Sequence, residues 1–301
     1  MPETFVGQRR ASLFDEQRPR LMGVAYLMLG TVDDADRVLE EARRRWCAGD
    51  VAQVSDPGTA LVTIVVRLAL RRLERLRRER QGYAGTWLPQ PVAGDGRAPL
   101  GPGVAADGCI GLDLLAALET LSPLERAAYV LRVALGCPYP QVAAVLGRSE
   151  PAVRQLVHRS RSHLRSSDLR ADTDRSRHEV VVRRFAAACR SASLGPLVEA
   201  LGSDVVLHAD DRRLAPVPSC VVGRERAARS VLAVLRRLPR GAVAEVETFN
   251  GSSGVVVRVD AQPVCAMALT VDADTVVSVQ LVATPGKLGA LRGRVEPTAI
   301  V

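Results

Sequence analysis

One stretch constrains the chain more than any other. It reads LSPLERAAYVLRVALGCPYPQVAAVLGRSEPAVRQLVHRSRSHLR, from Leu121 to Arg165. This is the grammar of a helix-turn-helix. Ser122 is a helix N-cap, Pro123 sits where a first helical residue loses nothing by lacking its N–H, and Glu125 completes an S-x-x-E capping box. The helix so started is expected to run to about Leu135, where Gly136 and Pro138 stop it. A short helix follows, with Val142, Val145 and Leu146 apolar at helical spacing, and Gly147 supplies the sharp turn. Ser149 caps a last helix, with Pro151 in its first turn. There Val153, Leu156, Val157 and Leu164 form the inward stripe.

The outer face of that last helix is left with Arg154, Gln155, His158, Arg159 and Arg161, behind Arg148 and Ser149 in the turn. A recognition helix in a major groove needs such a face, with its first residues at base edges and later arginines at phosphates. A helical hairpin with a solvated charged face is the plainer alternative. The Gly turn, the caps on both sides and the basic second helix together favour DNA binding.

Composition supports a polyanionic partner. The 301 residues carry a formal net charge of +8, and 47% are hydrophobic, so the chain should fold into two or three domains. Nearly all the cationic charge is arginine; Lys287 stands alone among lysines. The six cysteines are scattered with no CxxC, and the four histidines do not fall at ligand spacing from them. Free thiols in a reducing cytoplasm are therefore expected, with no metal or other cofactor. No signal peptide, transmembrane helix or membrane association is expected.

Before the helix-turn-helix, residues 12–46 read as two helices. Leu13, Leu21, Val24, Ala25 and Leu29 mark the first apolar face, and Val38, Leu39, Ala42 and Trp46 the second, which Thr31 caps. A long helix is expected from Thr59 to about Gln81, apolar in LVTIVVRLALRRL and charged in ERLRRERQ. Such a helix leaves the core as a basic rod that can lie along phosphates, or projects into solvent with pairs such as Glu74–Arg78. WLPQPVAGDGRAPLGPGVAADG then lacks periodicity and reads as a flexible linker. From about His178 the pattern changes to helices at 178–190, 195–201 and 223–238, a short strand at 205–207, and Val-rich runs at 242–248, 254–260, 263–271 and 275–283. Helices followed by an antiparallel meander make an α+β domain. No glycine fingerprint for phosphate binding occurs.

This order of elements resembles a bacterial extracytoplasmic-function sigma factor. RPRLMGVAYLMLGTVDDADRVLEEARRRW and LVTIVVRLALRRLERLRRER resemble its polymerase-binding and promoter-opening domain, and GRSEPAVRQLVHRSRSHL resembles its upstream-element reader. YAGTWLP at 83–89 and the C-terminal ATPGKL are similar to the subgroup with a fused SnoaL-like, polyketide-cyclase-like domain. The resemblance implies a multidomain chain. Residues 8–82 form an all-α sigma domain, 83–111 a linker, 112–167 an all-α helix-turn-helix domain, and 176–293 a cone-shaped α+β domain.

It also implies roles. Core RNA polymerase falls against Asp36, Leu39, Glu40 and Glu41, and promoter opening falls on the helix carrying Arg67, Arg71, Arg75 and Arg78. Double-stranded promoter DNA is read by Arg148, Ser149, Arg154, Gln155, His158, Arg159 and Arg161. Regulation by the fused domain falls on Tyr83, Trp87, Leu88, Pro89, Asp210, Asp211 and Lys287, with room for an unidentified small-molecule ligand.

The chain departs from the family pattern at Arg37 and Arg71, where acidic residues are usual, at Glu40, where Gln is usual, and at Ala60, a frequent aromatic position. HADDRRL (208–214) replaces a Gly-rich acidic motif, and Thr284 and Gly286 replace Asn and Asp. Two alternatives accompany the sigma-factor expectation. One is a sigma-like regulator that binds polymerase or DNA without opening promoters. The other is a cyclase or isomerase using His208, Asp210 and Asp211, although all four tyrosines precede that domain and leave it without a phenolic oxyanion donor.

Overall fold

The computed structural model describes residues 2–49, 56–80, 86–94, 111–166, 174–210 and 218–291. The chain divides into two units: Met1–Gly82, Gly96–Ile110 and Leu115–Asp168 form the first, and Tyr83–Asp95, Gly111–Leu114 and Leu169–Val301 the second.

The first unit begins with three helices, α1 (Pro2–Leu29), α2 (Val32–Ala48) and α3 (Pro57–Arg80). Gly30, at a φ of 78°, turns the chain between α1 and α2. Thr31 then caps α2, its hydroxyl accepting from the Asp34 N–H at 3.3 Å and donating to the Asp34 carboxylate at 2.8 Å. Leu61, Val65, Leu68, Ala69, Leu73 and Leu76 of α3 recur every three or four residues and are buried. They join Leu21, Val24 and Leu29 of α1 and Val38, Leu39 and Ala42 of α2 in the core.

The helix-turn-helix follows α4 (Leu112–Leu118) as α5 (Pro123–Tyr129), α6 (Tyr139–Leu146) and α7 (Glu150–Ser166). The capping box is complete: the Ser122 hydroxyl accepts from the Glu125 N–H at 3.3 Å, and the Ser122 N–H donates to Glu125 Oε2 at 3.0 Å. A π-helical segment, Val130–Ala134, continues α5. Gly147 ends α6 in the left-handed region, at φ 62° and ψ 42°, where a β-carbon is disfavoured. Val142, Val145, Val153, Val157 and Leu164 are buried as their spacing requires, and Leu146 and Leu156 are half-buried.

Among the described residues, the second unit holds a six-stranded sheet that shares its core with three helices. Helices α8 (Arg175–Ser191) and α9 (Leu194–Ala200) precede strand β1 (Leu201–Ala209). Strand β2 (Cys220–Val222) and helix α10 (Arg224–Leu235) follow, then strands β3 (Val243–Phe249), β4 (Ser252–Val259), β5 (Gln262–Asp272) and β6 (Thr275–Val282). The order is β2-β1-β6-β5-β4-β3. The meander β3 to β6 is antiparallel, and β1 closes it by running parallel to β6. Alternate residues supply the core: Leu207, Val255, Val257, Met267, Leu269, Val279 and Leu281 meet Phe185, Leu197, Val231 and Leu232 of the helices.

Three expectations change here. The strand expected at 205–207 is nine residues long, because it pairs with β6 beyond both expected ends: Leu201 with Val276 on one side of an irregularity, and His208 and Ala209 with Gln280 and Leu281 on the other. Strand β2 was not foreseen, being three residues beside a polar stretch. The largest change concerns the segment read as flexible linker. Residues 86–94 belong to the sheet unit, and Leu88, Pro89, Gln90, Pro91 and Val92 are all buried. Proline and glycine remove regular periodicity without preventing burial, so composition could not separate a fixed strap from a loose one.

Candidate nucleic-acid interface and linker clamp

Helix α7 carries an open cationic face. Arg154, Gln155, His158, Arg159 and Arg161 are exposed, as are Arg148 and Ser149 in the turn before it. Burial of Val153 and Val157 one turn apart fixes which side faces out. Arg154 lies 3.7 Å from the Glu150 carboxylate, and its guanidinium carbon sits 4.2 Å from the centre of the Tyr139 ring. The in-plane N–H groups of such a face are what guanine edges and phosphates accept.

Helix α3 divides its arginines between two tasks. Arg67, Arg71, Arg75 and Arg78 are exposed. Arg67 donates to the Val145 carbonyl at 3.4 Å, and Arg78 donates to the Glu74 carbonyl, also at 3.4 Å. The Glu74–Arg78 contact is thus to backbone rather than carboxylate. Arg72, Arg77 and Arg80 instead turn inward. Arg72 grips Asp34 Oδ1 through Nε at 3.0 Å and Nη2 at 2.8 Å, Arg77 donates to the Leu121 carbonyl, and Arg80 meets Glu119 at 2.7 Å.

The acidic residues of α2 fare unequally. Glu40 is exposed. Asp36 pairs with Arg18 at 2.8 Å. Glu41 accepts from Arg45 at 2.8 Å and from Arg44 at 2.7 Å, hydrogen bonds that hold its carboxyl below the ordinary range. Leu39 is fully buried, so the expectation that it faces a partner is corrected. Its place, three residues after Asp36, lies on the apolar stripe with Ala35, Val38 and Ala42.

In the sheet unit, several of the residues singled out for regulation meet at one point. The Lys287 ammonium lies 3.2 Å from Asp210 Oδ2, donates to the Leu88 carbonyl at 2.6 Å, and sits 3.6 Å from the centre of the Trp87 ring. The Asp210 Oδ1 accepts from the Ala283 N–H at 2.8 Å. Asp210 is completely buried and Lys287 nearly so. Pro89 is buried beside Leu88, whereas Tyr83 and Asp211 lie outside the described residues. A buried charge pair tolerates such desolvation only with its remaining polar partners supplied, and here a carbonyl, an N–H and an aromatic face supply them.

The strap is also laced to the β3–β4 hairpin. Asn250 and Gly251 make that turn with φ of 50° and 78°, as a two-residue hairpin demands. The Val92 N–H donates to the Asn250 side chain at 2.9 Å, the Asn250 N–H returns a bond to the Val92 carbonyl at 2.9 Å, and the Gly94 N–H donates to Thr248 at 2.8 Å. The β4 residue Gly254 is required by packing: a β-carbon there would come within 2.4 Å of the Phe249 ring. The Thr86 hydroxyl adds a bond to the Ser219 carbonyl at 2.9 Å.

Sequence reasoning missed three groups. Asn250 falls between two Val-rich runs, and nothing local marks it as the partner of a distant segment. Tyr139 is one of the four tyrosines that precede the α+β domain, and the sequence assigns it no role of its own. The third is a cluster around the buried Arg126, in which the half-buried Glu119 accepts from both Arg126 at 2.8 Å and Arg80 at 2.7 Å. Arg126 also donates to the Leu27 carbonyl at 2.7 Å, and Arg80 to the Leu29 carbonyl at 3.2 Å, satisfying carbonyls at the end of α1. Arg126 follows Glu125 in a capping box and looks solvated in sequence; only its tertiary partner places it inside.

Of the acid–base set considered for catalysis, Asp211 lies outside the described residues. Asp210 is occupied by Lys287 and the Ala283 N–H, and burial pulls the His208 imidazole below its ordinary pKa. Among the described residues no cluster of three or more His, Cys, Asp or Glu is placed to hold a metal, and no helix is long and apolar enough to cross a membrane.

Comparison with known proteins places this architecture. Residues 111–164 match the family model for Sigma-70, region 4. The ECF RNA polymerase sigma factor SigJ of Mycobacterium tuberculosis is 36% identical over 250 residues, covering 81% of this chain and 79% of that one. The chain belongs to the extracytoplasmic-function sigma factor family. A second member from the same organism, the probable ECF sigma factor SigI, is 29% identical over 278 residues, covering 91% of this chain and 93% of its own. The crystal structure of M. tuberculosis SigJ superposes with a TM-score of 0.72 at 33% identity, over 93% of this chain and 98% of that one. The match extends through the helical domains and the α+β domain, as the sequence resemblance implied. The region 4 match at 111–164 spans α4 to α7, and the sigma factor's role lies in transcription initiation.

Proposed function

We propose that this sigma factor binds core RNA polymerase through the carboxylates of α2, with Glu40 exposed and Asp36 and Glu41 half-buried in ion pairs, reads an upstream promoter element with α7, and is regulated by its own α+β domain through the strap of residues 86–94. The open arginine face of α7 supports promoter reading, because its arginines are exposed while Val153, Val157 and Leu164 of the inward stripe are buried. The exposed arginines of α3 would follow the DNA backbone at the opening step.

The observation that carries the regulatory part is the Lys287 clamp. The segment leading in sequence from α3 toward the helix-turn-helix is held by a buried ion pair, an aromatic contact and hairpin-like backbone bonds. Release of that clamp is expected to change the freedom of the strap and, with it, transcription. Lys287→Met keeps the length and removes the charge; Trp87→Ala loosens the strap and leaves the ion pair intact. Both variants should increase proteolytic cleavage between residues 86 and 94 and alter promoter-dependent transcript yield from core polymerase in the same direction. Increased cleavage with unchanged transcription would contradict autoregulation.

A second reading has two observations in its favour. Helix α3 contains no aromatic side chain to receive an unstacked promoter base, and Arg71 stands exposed where the family usually has an acidic residue. On that reading the protein binds polymerase and promoter without opening the duplex. Permanganate footprinting decides, since reactive thymines in the bound promoter exclude it.

A further inference from the structure

Resting on the reading of α7 as the upstream-element reader, we propose that Tyr139 is a positioning residue for promoter recognition, holding the Arg154 guanidinium in the attitude that meets a base edge. Tyr139 opens α6 immediately after Pro138, so its backbone is fixed on one side by a proline at φ −65°. Its ring is half-buried. Two guanidinium groups lie over it: Arg154, with its central carbon 4.2 Å from the ring centre, and Arg132, at 4.9 Å. Arg132 comes from the π-helical segment and donates to the Gly136 and Cys137 carbonyls, both at 3.4 Å. The ring is thus braced by the turn that precedes it, and it contacts the recognition helix that follows.

The geometry matters because guanidinium has two separate binding surfaces. Its faces stack on aromatic rings, whereas its five N–H groups point outward in the plane. An arginine held by its face keeps the in-plane fork free for the O6 and N7 acceptors of guanine. An unsupported arginine must surrender much of its rotamer freedom when it binds. Arg154 is exposed, lies one turn into α7, and has the Glu150 carboxylate 3.7 Å away as its competing partner. Tyr139 biases it away from a simple helix-surface pair and toward one presentation.

The test uses the full chain bound to core polymerase and a duplex selected by that complex from a randomised pool. Four variants are compared: Tyr139→Phe, Tyr139→Leu, Arg154→Ala, and Tyr139→Leu with Arg154→Ala. Tyr139→Phe retains the ring and should bind as the parent does. Tyr139→Leu keeps apolar volume and should lose roughly three- to tenfold in affinity for the selected duplex, the range of a modest cation–π contact. The loss should concern the base pair that Arg154→Ala also ceases to discriminate. Random duplex affinity and salt dependence should stay unchanged, and the double variant should lose no more than Arg154→Ala alone. Equal loss on selected and random duplexes, full additivity of the two changes, or relaxed discrimination at a different base pair would overturn the inference. If the parent complex selects no sequence, promoter reading itself fails and takes the inference with it. If selection survives Tyr139→Leu unchanged, only the role of Tyr139 fails.

Discussion

Helices α3 and α7 are both rich in arginine, and they spend that charge in opposite ways. On α7, Arg154, Arg159 and Arg161 stay in solvent. On α3 the arginines alternate between solvent and interior: Arg71, Arg75 and Arg78 face out, whereas Arg72, Arg77 and Arg80 are consumed by Asp34, the Leu121 carbonyl and Glu119. The inward group shares its work with Arg126, which completes the cluster on Glu119. Charge in solvent is screened and ready for phosphate; charge beside a buried carboxylate and the end of a helix is structural. A basic count overstates the nucleic-acid surface whenever such residues alternate on one helix.

The sharpest way to break this comparison is to remove the most buried of these cations. Arg126→Ala should lower the unfolding free energy by about 3–5 kcal/mol, because Glu119 and the Leu27 carbonyl lose a buried partner. Denaturant unfolding measures it. A loss below about 1 kcal/mol, the scale of an exposed pair, would mean the cluster behaves as a surface contact.

The matching changes on α7 should leave stability alone and act on DNA. Arg154→Ala should weaken specific binding by about 1–3 kcal/mol and relax one base pair. Arg161→Ala should weaken all duplexes evenly and reduce the slope of log affinity against log salt by about one unit. Fluorescence anisotropy across a salt series separates them. Identical behaviour of the two variants on selected and random DNA would erase the division of labour along α7.

The smallest effect is expected at the capping box. Burial raises the Glu125 pKa, but hydrogen bonds from the Ser122 hydroxyl and backbone outweigh it, leaving the carboxyl lower than usual. A depressed folded value stabilises above the unfolded carboxylate's pKa of about 4.3, and the gain disappears as pH falls through the folded value. Glu125→Ala should therefore cost about 1 kcal/mol at neutral pH, and the gap from the parent should close in acid. A gap constant from pH 7 to 3 would show that the carboxylate charge contributes nothing to the cap.

How much of this was legible in the sequence depends on the range of the interaction. The helix-turn-helix was readable because its signals are local: a cap, a box four residues long, a glycine turn, a 3.6-residue stripe. The meander was readable from its Val-rich runs. Arg126 was not, because its partners Glu119 and Leu27 lie on other elements, the second 99 residues away. The Lys287 clamp was reached through the resemblance, and its geometry was out of reach, since Lys287 and Leu88 are separated by 199 residues. The strap was misread for a related reason: its backbone bonds go to Asn250 and Thr248, and nothing within 86–94 announces a partner in a distant hairpin.

The central assignment is tested most directly by mixing the purified protein with core RNA polymerase and a fragmented genomic template, then mapping transcript starts. A sigma factor reading promoters through α7 should produce discrete new starts that share an upstream element and vanish with the Arg154→Ala, Arg161→Ala double variant. A stable complex with core enzyme that yields no new starts would contradict promoter-directed initiation.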